Sequence, residues 1–132
     1  MSIRGKKTQA AVLAALRAHK GALSAYDLLA ELRRTQPTIS APTIYRALAA
    51  LGEMGAVHRL DSVNAFIAAK GAGEGHAILS ICDDCGMVEE SAAPRLLAEL
   101  STVAEQSGFA TLRKVIEIHG VCASCDEGSV RA

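Results

Sequence analysis

The four cysteines of this 132-residue chain form two Cys-x-x-Cys pairs, and this arrangement constrains the fold more than any other feature of the sequence. Cys82 and Cys85 form the first pair, Cys122 and Cys125 form the second, and 36 residues separate the pairs. Each pair can present two thiolates to one ion from a tight turn, and two pairs complete a tetrahedral sulfur shell. Because a filled shell of four cysteines has no open position, the pairs predict a structural zinc ion. A redox-active dithiol is the alternative interpretation.

The second half of the chain is predicted to be a small α/β unit that the metal closes. Residues 77–82 and 111–119 have strand patterns, and residues 94–106 have a helical pattern that ends near Gly108. A β-α-β unit of about 50 residues buries little apolar surface by itself. We therefore expect it to need both the metal and a partner subunit.

The first half of the chain is predicted to contain three short helices. Breaks at residues 20–21 and 35–37 separate the three helical patterns. Ser24 and Asp27 have the spacing of a capping box at the start of the second helix. Pro42 is tolerated in the first turn of the third helix, because the N–H groups there lack intrahelical partners.

Two β-like runs follow the third helix, at residues 56–60 and 65–68. Three short helices followed by a two-stranded ribbon are typical of a winged helix-turn-helix, whose third helix fits a major groove. A generic helical bundle with a hairpin is the alternative. We therefore predict an α+β chain with a winged-helix domain at residues 1–69, a Gly-rich linker at 70–76 and an α/β metal-binding domain at 77–132.

The zero net charge of the chain conceals two halves of opposite charge. Residues 1–70 carry ten Lys or Arg against four Asp or Glu, whereas residues 71–132 carry four against ten. The first half therefore has the local positive charge that is typical of nucleic-acid binding. Two ordinary solvated surfaces that happen to differ would explain the charges equally well.

The third helix and its surroundings offer candidates for DNA contact. Thr43, Tyr45 and Arg46 lie on its predicted exposed face. An Arg side chain can pair with a purine edge, and a Tyr side chain can reach a phosphate or a thymine methyl group. The candidate phosphate contacts are the basic residues Arg59, Lys20, Arg33 and Arg34. Each of these arginines could instead serve only surface solubility.

Histidine and acidic residues bracket the junction between the two halves. They are His58 in the first β-run, His76 at the end of the linker, Glu90 after the first cysteine pair and His119 at the end of the last strand. Imidazole nitrogens and carboxylate oxygens are suitable zinc donors, so a second metal there would fix the angle between the halves. Each residue taken alone is more typical of an ordinary surface. His19, near the end of the first helix, is expected to be structural or solvated.

Several specific strings of residues occur in order along nearly the whole chain. They are Ser-Ala-Tyr-Asp-Leu-Leu at 24–29, Pro-Thr-Ile-Tyr-Arg-Ala-Leu at 42–48, Val-His-Arg-Leu-Asp-Ser at 57–62, Asn-Ala-Phe at 64–66, Cys-Asp-Asp-Cys-Gly at 82–86, Glu-Glu at 89–90 and Ile-Glu-Ile-His-Gly-Val-Cys at 116–122. Together these strings resemble the ferric uptake regulator family, and most closely its zinc uptake regulator branch.

The resemblance implies a homodimeric, zinc-responsive transcriptional repressor of zinc-uptake genes. The winged helix of this family binds operator DNA, and its C-terminal α/β part dimerises around a structural zinc held by the four cysteines. The DNA contacts of the family carry onto Tyr45 and Arg46. The regulatory zinc of the branch carries onto His58 and Glu90, with His76 as the nearest candidate for a further ligand. The implied cofactors are one structural and at least one regulatory zinc per chain.

The chain departs from the family pattern in three places. The branch usually has a cysteine a few residues after Asn-Ala-Phe, where this chain has Ala68-Ala69. The regulatory site must therefore recruit another donor, have one ligand fewer or keep a water there. Asp61 or His119 could replace the donor, and His119 also matches a position that holds a further metal in some relatives. The His-rich linker of iron-sensing members is reduced to His76, and the Thr-Pro-x-Arg entry motif has become Thr-Gln-Ala-Ala at residues 8–11.

The sequence argues against several other classes of protein. No apolar run approaches the roughly 20 residues that span a bilayer, and the N-terminal residues lack the apolar core of a signal peptide, so we expect a cytoplasmic protein. No nucleophile–base pair or phosphate-binding Gly loop indicates an enzyme, and we expect no small organic substrate. The remaining alternatives are a sensor of another divalent metal, a thiol-based redox switch and a constitutive DNA-binding module with only structural zinc.

Overall fold

The computed structural model describes residues 3–70 and 76–126 of the chain. The chain divides into two units, Met1–Gly73 and Glu74–Ala132. Most of the predicted Gly-rich linker lies outside the described residues, which omit positions 71–75.

Three helices and a two-stranded sheet make up the first unit over its described residues, 3–70. They are α1 (Ile3–Ala18), α2 (Ala25–Leu32), α3 (Ala41–Glu53), β1 (Val57–Leu60) and β2 (Ala65–Ala68). Apolar residues at helical spacing on the three helices meet in one core, where Val12, Leu28 and Ile44 are completely buried. The predicted winged helix-turn-helix is therefore confirmed, with β1 and β2 as the wing.

The second and third helices begin differently, although each follows a serine. The Asp27 N–H donates to Ser24 Oγ at 3.0 Å, and the Ser24 N–H donates to the Asp27 carboxylate at 3.1 Å. This pair is the predicted capping box, and it satisfies N–H groups that no intrahelical carbonyl can reach. At the start of α3, the Ser40 side chain makes no such bond to the helix backbone.

The wing is tied to the helices by a short segment of extended chain. β1 and β2 pair antiparallel, with Arg59 opposite Phe66. Leu23, just before α2, accepts a backbone hydrogen bond from Phe66 at 2.8 Å and donates one to it at 3.0 Å. The turn between the strands contains Asn64 at φ 48°, a left-handed conformation that Asn adopts more easily than most residues. These bonds fix the wing beside the start of α2.

The second unit is a three-stranded sheet with one long helix. Its elements are β3 (His76–Cys82), β4 (Val88–Ser91), α4 (Pro94–Glu105), β5 (Lys114–Gly120) and the short α5 (Ala123–Asp126), and the strand order is β4-β3-β5. β3 pairs antiparallel with β4 and parallel with β5, so Cys82 lies opposite Gly120. The parallel pair joined through α4 confirms the predicted β-α-β unit.

The structure corrects the predicted element boundaries in this unit. β4 and α5 were not predicted, because β4 is four residues long with a single apolar side chain and α5 is one helical turn. The last strand begins at Lys114 rather than at residue 111, since the ladder with β3 starts where His76 pairs with Lys114. It also continues one residue past the predicted end, to Gly120.

Few residues of the second unit are buried. Among its described residues, the buried apolar side chains all lie on β3 and are Ile78, Leu79, Ile81 and Cys82. Helix α4 has no buried residue, and its apolar residues Leu96, Leu100 and Val103 are 47%, 38% and 64% exposed. The unit therefore presents an apolar helix face that is available for further packing.

Candidate metal centre and nucleic-acid interface

The four cysteines form one cluster. Their sulfur atoms all lie within 4.8 Å of one another, and Cys85 Sγ is 3.8 Å from Cys122 Sγ. A tetrahedral shell with Zn–S bonds of about 2.3 Å has sulfur–sulfur edges of about 3.8 Å. The cluster therefore has the donor type, donor number and spacing of a structural zinc site.

Parallel pairing of β3 and β5 brings the two Cys-x-x-Cys pairs together. The carboxyl ends of parallel strands meet at one edge of a sheet, and each strand ends just before or at its first cysteine. The Asp83 N–H donates to the Gly120 carbonyl at 2.8 Å, which extends the pairing beyond the ladder. Gly86, at φ 78°, turns the chain back towards β4, and the single turn of α5 carries Cys125. The long spacing between the pairs is thus accounted for by β4, α4 and β5 with their connections.

Backbone N–H groups favour the thiolate form of Cys82. The Cys122 N–H lies 3.3 Å from Cys82 Sγ, and the Cys85 N–H lies 3.5 Å from it. These two contacts lower the pKa of Cys82 from 9.0 to about 6, although the residue is almost fully buried. Cys82 is therefore poised to act as a metal ligand at neutral pH.

Neighbouring sulfurs favour the protonated form of two other thiols. Contacts with the Cys122 and Cys82 sulfurs, together with burial, raise the pKa of Cys125 to about 12. The Met87 backbone N–H lowers the pKa of Cys85, but contacts with Cys82 and Cys122 and burial outweigh it and raise the pKa overall. Four thiolates crowded together repel one another, so a cation is needed to hold them all deprotonated.

His119 lies beside the cysteine cluster and contacts an aspartate in the first cysteine turn. His119 Nδ1 is 3.0 Å from Asp83 Oδ1. This contact adds a second connection between the end of β5 and the turn after β3. The Asp83 partner was not predicted, and no periodic pattern in the sequence indicates it, because the two residues meet only through strand pairing.

The other predicted regulatory ligands occur in both units. In the first unit, His58 is buried in β1, and Asp61 is exposed in the turn that follows β1. In the second unit, Glu90 is half-buried on β4 opposite Leu79, and His76 is the first residue of β3. Within either unit, the described residues bring no further group of three or more His, Cys, Asp or Glu within metal-binding distance of one another.

The predicted DNA-contacting residues of α3 lie on one solvent-facing side of the helix. Tyr45 is 52% exposed, Arg46 is exposed and Thr43 is half-buried. Arg46 Nη2 donates to Thr43 Oγ1 at 3.3 Å, and the hydroxyls of Thr43 and Ser40 share a hydrogen bond at 3.0 Å. Thr43 and Arg46 also line a groove of about 580 Å³ whose other wall includes Arg4 on α1. The contact of Thr43 with Ser40 was not predicted, because the residues of α3 were considered only for contact with DNA.

The predicted phosphate contacts of the first unit are all exposed, and three of the four already contact another group of the protein. Arg59 donates to Asp61 Oδ1 at 2.7 Å and to Asn64 Oδ1 at 2.9 Å, so the wing turn already holds its guanidinium. Arg33 Nε donates to the Ile39 carbonyl at 3.1 Å and thereby links α2 to the loop before α3. Two further candidates are exposed, Lys20 and Arg34, and Arg34 lies 3.3 Å from Glu31.

A further structural finding concerns membranes. None of the helices in the described segments is long and apolar enough to cross a bilayer.

Comparison with known proteins gives a family match over most of the chain. Residues 2–119 match the model of the ferric uptake regulator family. The chain is 41% identical over 118 residues to the zinc uptake regulation protein of Escherichia coli, which covers 88% of this chain and 69% of that protein. It is 29% identical over 123 residues to the protein of the same name from Mycobacterium tuberculosis, covering 93% of this chain and 95% of the relative.

Comparison of structures gives the same result. The fold is similar to that of a zinc uptake regulator complexed with zinc and DNA, with a TM-score of 0.87 and 39% sequence identity. That similarity covers 92% of this chain and 82% of the other.

Proposed function

The chain belongs to the ferric uptake regulator family, and we propose that it is a zinc-responsive, sequence-specific transcriptional repressor of zinc-uptake genes. Members of this family are transcription regulators rather than enzymes. The proposed partners are double-stranded operator DNA and a second copy of the chain, and the proposed location is the cytoplasm. The observation that carries the proposal is the structural similarity to a zinc uptake regulator complexed with zinc and DNA, together with the cysteine cluster.

We assign one role to each part of the chain. Residues 1–69 bind DNA through the winged helix, residues 77–132 dimerise and bind metal, and residues 70–76 connect them. The positive charge of residues 1–70 and the exposed side chains Tyr45 and Arg46 support the first role. The apolar face of α4 supports the second, because a unit with so small a core gains stability from a partner subunit.

The structural metal of the proposal is a zinc ion held by Cys82, Cys85, Cys122 and Cys125. When bound, zinc supplies a cross-link between the turn after β3 and the end of β5. The closed sulfur shell leaves no position for a changing ligand, so the sensing of free zinc is assigned elsewhere. The cysteine cluster supports at least one zinc per chain, and the regulatory zinc is the second that we propose.

For the regulatory zinc we propose His58 and Glu90 as ligands, with His76 as a third. Buried imidazole nitrogen and half-buried carboxylate oxygen are donors that zinc accepts. Asp61 and His119 are the candidates for a fourth ligand. The Asp61 carboxylate contacts Arg59 through Oδ1, and the His119 ring contacts Asp83 through Nδ1. A histidine that a carboxylate holds through one ring nitrogen can bind zinc through the other.

The proposed response couples metal binding to the arrangement of the two units. His58 and Glu90 belong to different units, so ligation of one ion by both restricts the chain between them. Without the metal, DNA binding itself must supply the free energy needed to order the two units. A change from a mostly inactive to a mostly active population requires about 5.5 kcal/mol of differential zinc affinity.

Titration of DNA binding at buffered free zinc tests the proposed ligands. The probe is a duplex that the zinc-loaded protein selects from a randomised pool. His58→Gln and Glu90→Gln are each expected to raise the free zinc needed for half-maximal DNA binding by at least about tenfold. His19→Gln and Glu89→Gln are matched controls, since both alter exposed residues of the same types. An unchanged zinc response in both ligand variants would remove these residues from the mechanism.

Counting metals on the same samples separates the alternatives. Two or more zinc ions per chain at saturation support a sensor, whereas one supports a constitutive DNA-binding module. Titratable thiols without tightly bound zinc would indicate a redox switch. A stronger response to another divalent ion would reassign the sensed metal within the same family.

A further inference from the structure

The two serines that precede α2 and α3 use their hydroxyls in different ways. Ser24 Oγ accepts the backbone N–H of Asp27 and so caps α2. Ser40 has the extended backbone of an N-cap residue, with φ −107° and ψ 158°, but its side chain caps nothing. Pro42 is in the first turn of α3 and has no N–H to offer. The Ser40 hydroxyl is therefore available for another contact.

That contact is the hydroxyl of Thr43, one turn into α3. The two oxygens lie 3.0 Å apart, and Thr43 Oγ1 also accepts a hydrogen bond from Arg46 Nη2 at 3.3 Å. The three side chains follow one another at three-residue spacing, which places them on adjacent turns of the same helix face. They form a chain of hydrogen bonds that ends on the guanidinium of Arg46.

A hydrogen-bonded guanidinium is better prepared for base recognition than a freely rotating one. An Arg side chain loses rotamer freedom when it binds, and a contact that already holds it in the free protein reduces that loss. Its rigid fork of N–H donors lets Arg46 keep one hydrogen on Thr43 while others face a base edge. Thr43 alone could rotate its hydroxyl away, whereas the bond to Ser40 favours one rotamer.

We propose that Ser40 is a positioning residue for sequence recognition, acting through Thr43 to hold the Arg46 guanidinium in its DNA-reading orientation. This inference rests on the proposed DNA-binding function and names a residue that determines its specificity. Ser40 does not cap α3 with its side chain, whereas Ser24 caps the preceding helix, α2. Its removal is therefore expected to change base discrimination more than helix stability.

The test compares four single variants by their ratio of affinities for two duplexes. One duplex is selected by the zinc-loaded wild-type protein from a randomised pool, and the other has the same composition in scrambled order. Ser40→Ala is expected to lower the ratio about threefold to tenfold, because the Arg46 side chain then loses more rotamer freedom on binding. Its melting temperature is expected to fall less than that of Ser24→Ala. Ser40→Thr keeps the hydroxyl and is expected to keep the ratio. Ser24→Ala is the matched control, expected to lower the melting temperature and leave the ratio unchanged, whereas Arg46→Ala is expected to lower the ratio further than Ser40→Ala.

The double variant of Ser40→Ala with Arg46→Ala decides whether the serine acts through the arginine. No further loss of the ratio beyond that of Arg46→Ala alone supports the proposal. Full additivity, an equal loss on both duplexes or an unchanged ratio in Ser40→Ala would overturn it while leaving DNA binding established. If the wild-type protein selects no duplex at all, the proposed function fails and this inference fails with it.

Discussion

Within the cysteine cluster, identical side chains acquire different proton affinities from their surroundings. Cys82 accepts two backbone N–H contacts, which lower its pKa to about 6. Cys125 has sulfur neighbours instead, and its pKa is raised to about 12. The metal-free cluster at neutral pH is therefore a mixture of thiolate and thiol, and metal binding must displace protons.

The pH dependence of zinc affinity follows from these shifts. At pH 7 the raised pKa values keep Cys85 and Cys125 protonated, whereas the Cys82 thiol is mostly ionised. Binding therefore releases at least two protons, and affinity is expected to fall at least about a hundredfold for each unit by which pH is lowered. Below about pH 6 Cys82 also takes up a proton, so the fall becomes steeper.

Calorimetric zinc titrations in buffers of different ionisation enthalpy count the released protons directly. The number is expected to be at least two at pH 7 and to rise as pH is lowered through 6, following the pKa of Cys82. Release of fewer than two protons at pH 7 would contradict the assignment of protonated Cys85 and Cys125.

At the residue scale the sequence predicted the clustering of the four cysteines, whereas it did not predict the hydrogen bonds that hold the surface side chains. Two cysteines separated by two residues can bind one ion in many turn conformations. The spacing of the cysteines was therefore enough to predict the cluster. Arg59 stays a predicted phosphate contact, and its hydrogen bonds to Asp61 and Asn64 in the wing turn were not predicted. That arrangement depends on the left-handed backbone of Asn64, which no local pattern specifies.

At the scale of elements, the metal centre closes a sheet that has few other contacts. β3 and β5 align their carboxyl ends, and the only buried apolar side chains described in this unit lie on β3. Much of the stability of the unit is therefore assigned to the cysteine cluster. Metal binding to a folded state stabilises it by about 4 kcal/mol when free zinc is 1,000 times its Kd.

Removal of one ligand is expected to loosen this unit alone. Cys122→Ser should lose the structural zinc and lower the free energy of unfolding of the second unit by about 4 kcal/mol under those conditions. Ser124→Ala, an exposed change between the same two cysteines, is the matched control. Metal content and hydrogen exchange measured along β3 and β5 report the change. Unaltered exchange in a zinc-free Cys122→Ser protein would show that the sheet is stable without the metal.

Element prediction succeeded where a local pattern matched the tertiary structure. α2 has its capping box and apolar stripe, and α4 has its first-turn proline, so both were found close to their true bounds. β4 was missed because it is paired through β3 and carries only one apolar residue, Val88. Its position in the sheet follows from a hairpin, not from its own sequence.

At the scale of the whole molecule, each unit has its own buried residues. The first unit packs three helices around Leu28, which is completely buried, whereas the exposed Ile3 on α1 contributes little. Leu28→Ala is expected to destabilise this unit by about 2–5 kcal/mol, because it leaves a cavity in a packed core. Ile3→Ala is the control, with an expected effect within about 0.5 kcal/mol.

Denaturant unfolding followed in parallel with zinc content tests this independence. Leu28→Ala should lower the midpoint for loss of helical signal while the chain retains zinc on its four cysteines. Loss of that zinc at the same denaturant concentration would show that the units unfold as one.

The two halves of the chain have opposite net charges, which favours contact with DNA through the first half. The half with a net charge of +6 is attracted to phosphates, and the half with −6 is repelled by them. In the proposed assembly the acidic half joins two copies, and its exposed apolar surface on α4 is suited to that role. Two basic units held by one dimer can then contact successive half-sites.

Disruption of the apolar face of α4 is therefore expected to weaken DNA binding without touching the DNA-contacting helix. Leu96→Glu together with Val103→Glu should give monomers in light-scattering measurements, because two charges would be desolvated at the interface. Thr102→Glu adds the same type of charge outside the apolar stripe and should leave the dimer intact. The monomer is expected to bind the selected duplex at least about a hundredfold more weakly. In the dimer, binding of one subunit's winged helix raises the effective concentration of the other's at the DNA, and the monomer lacks this effect. A monomer that binds as tightly as the wild-type protein would mean that a single winged helix suffices, and a variant that stays dimeric would place the interface elsewhere on the acidic half.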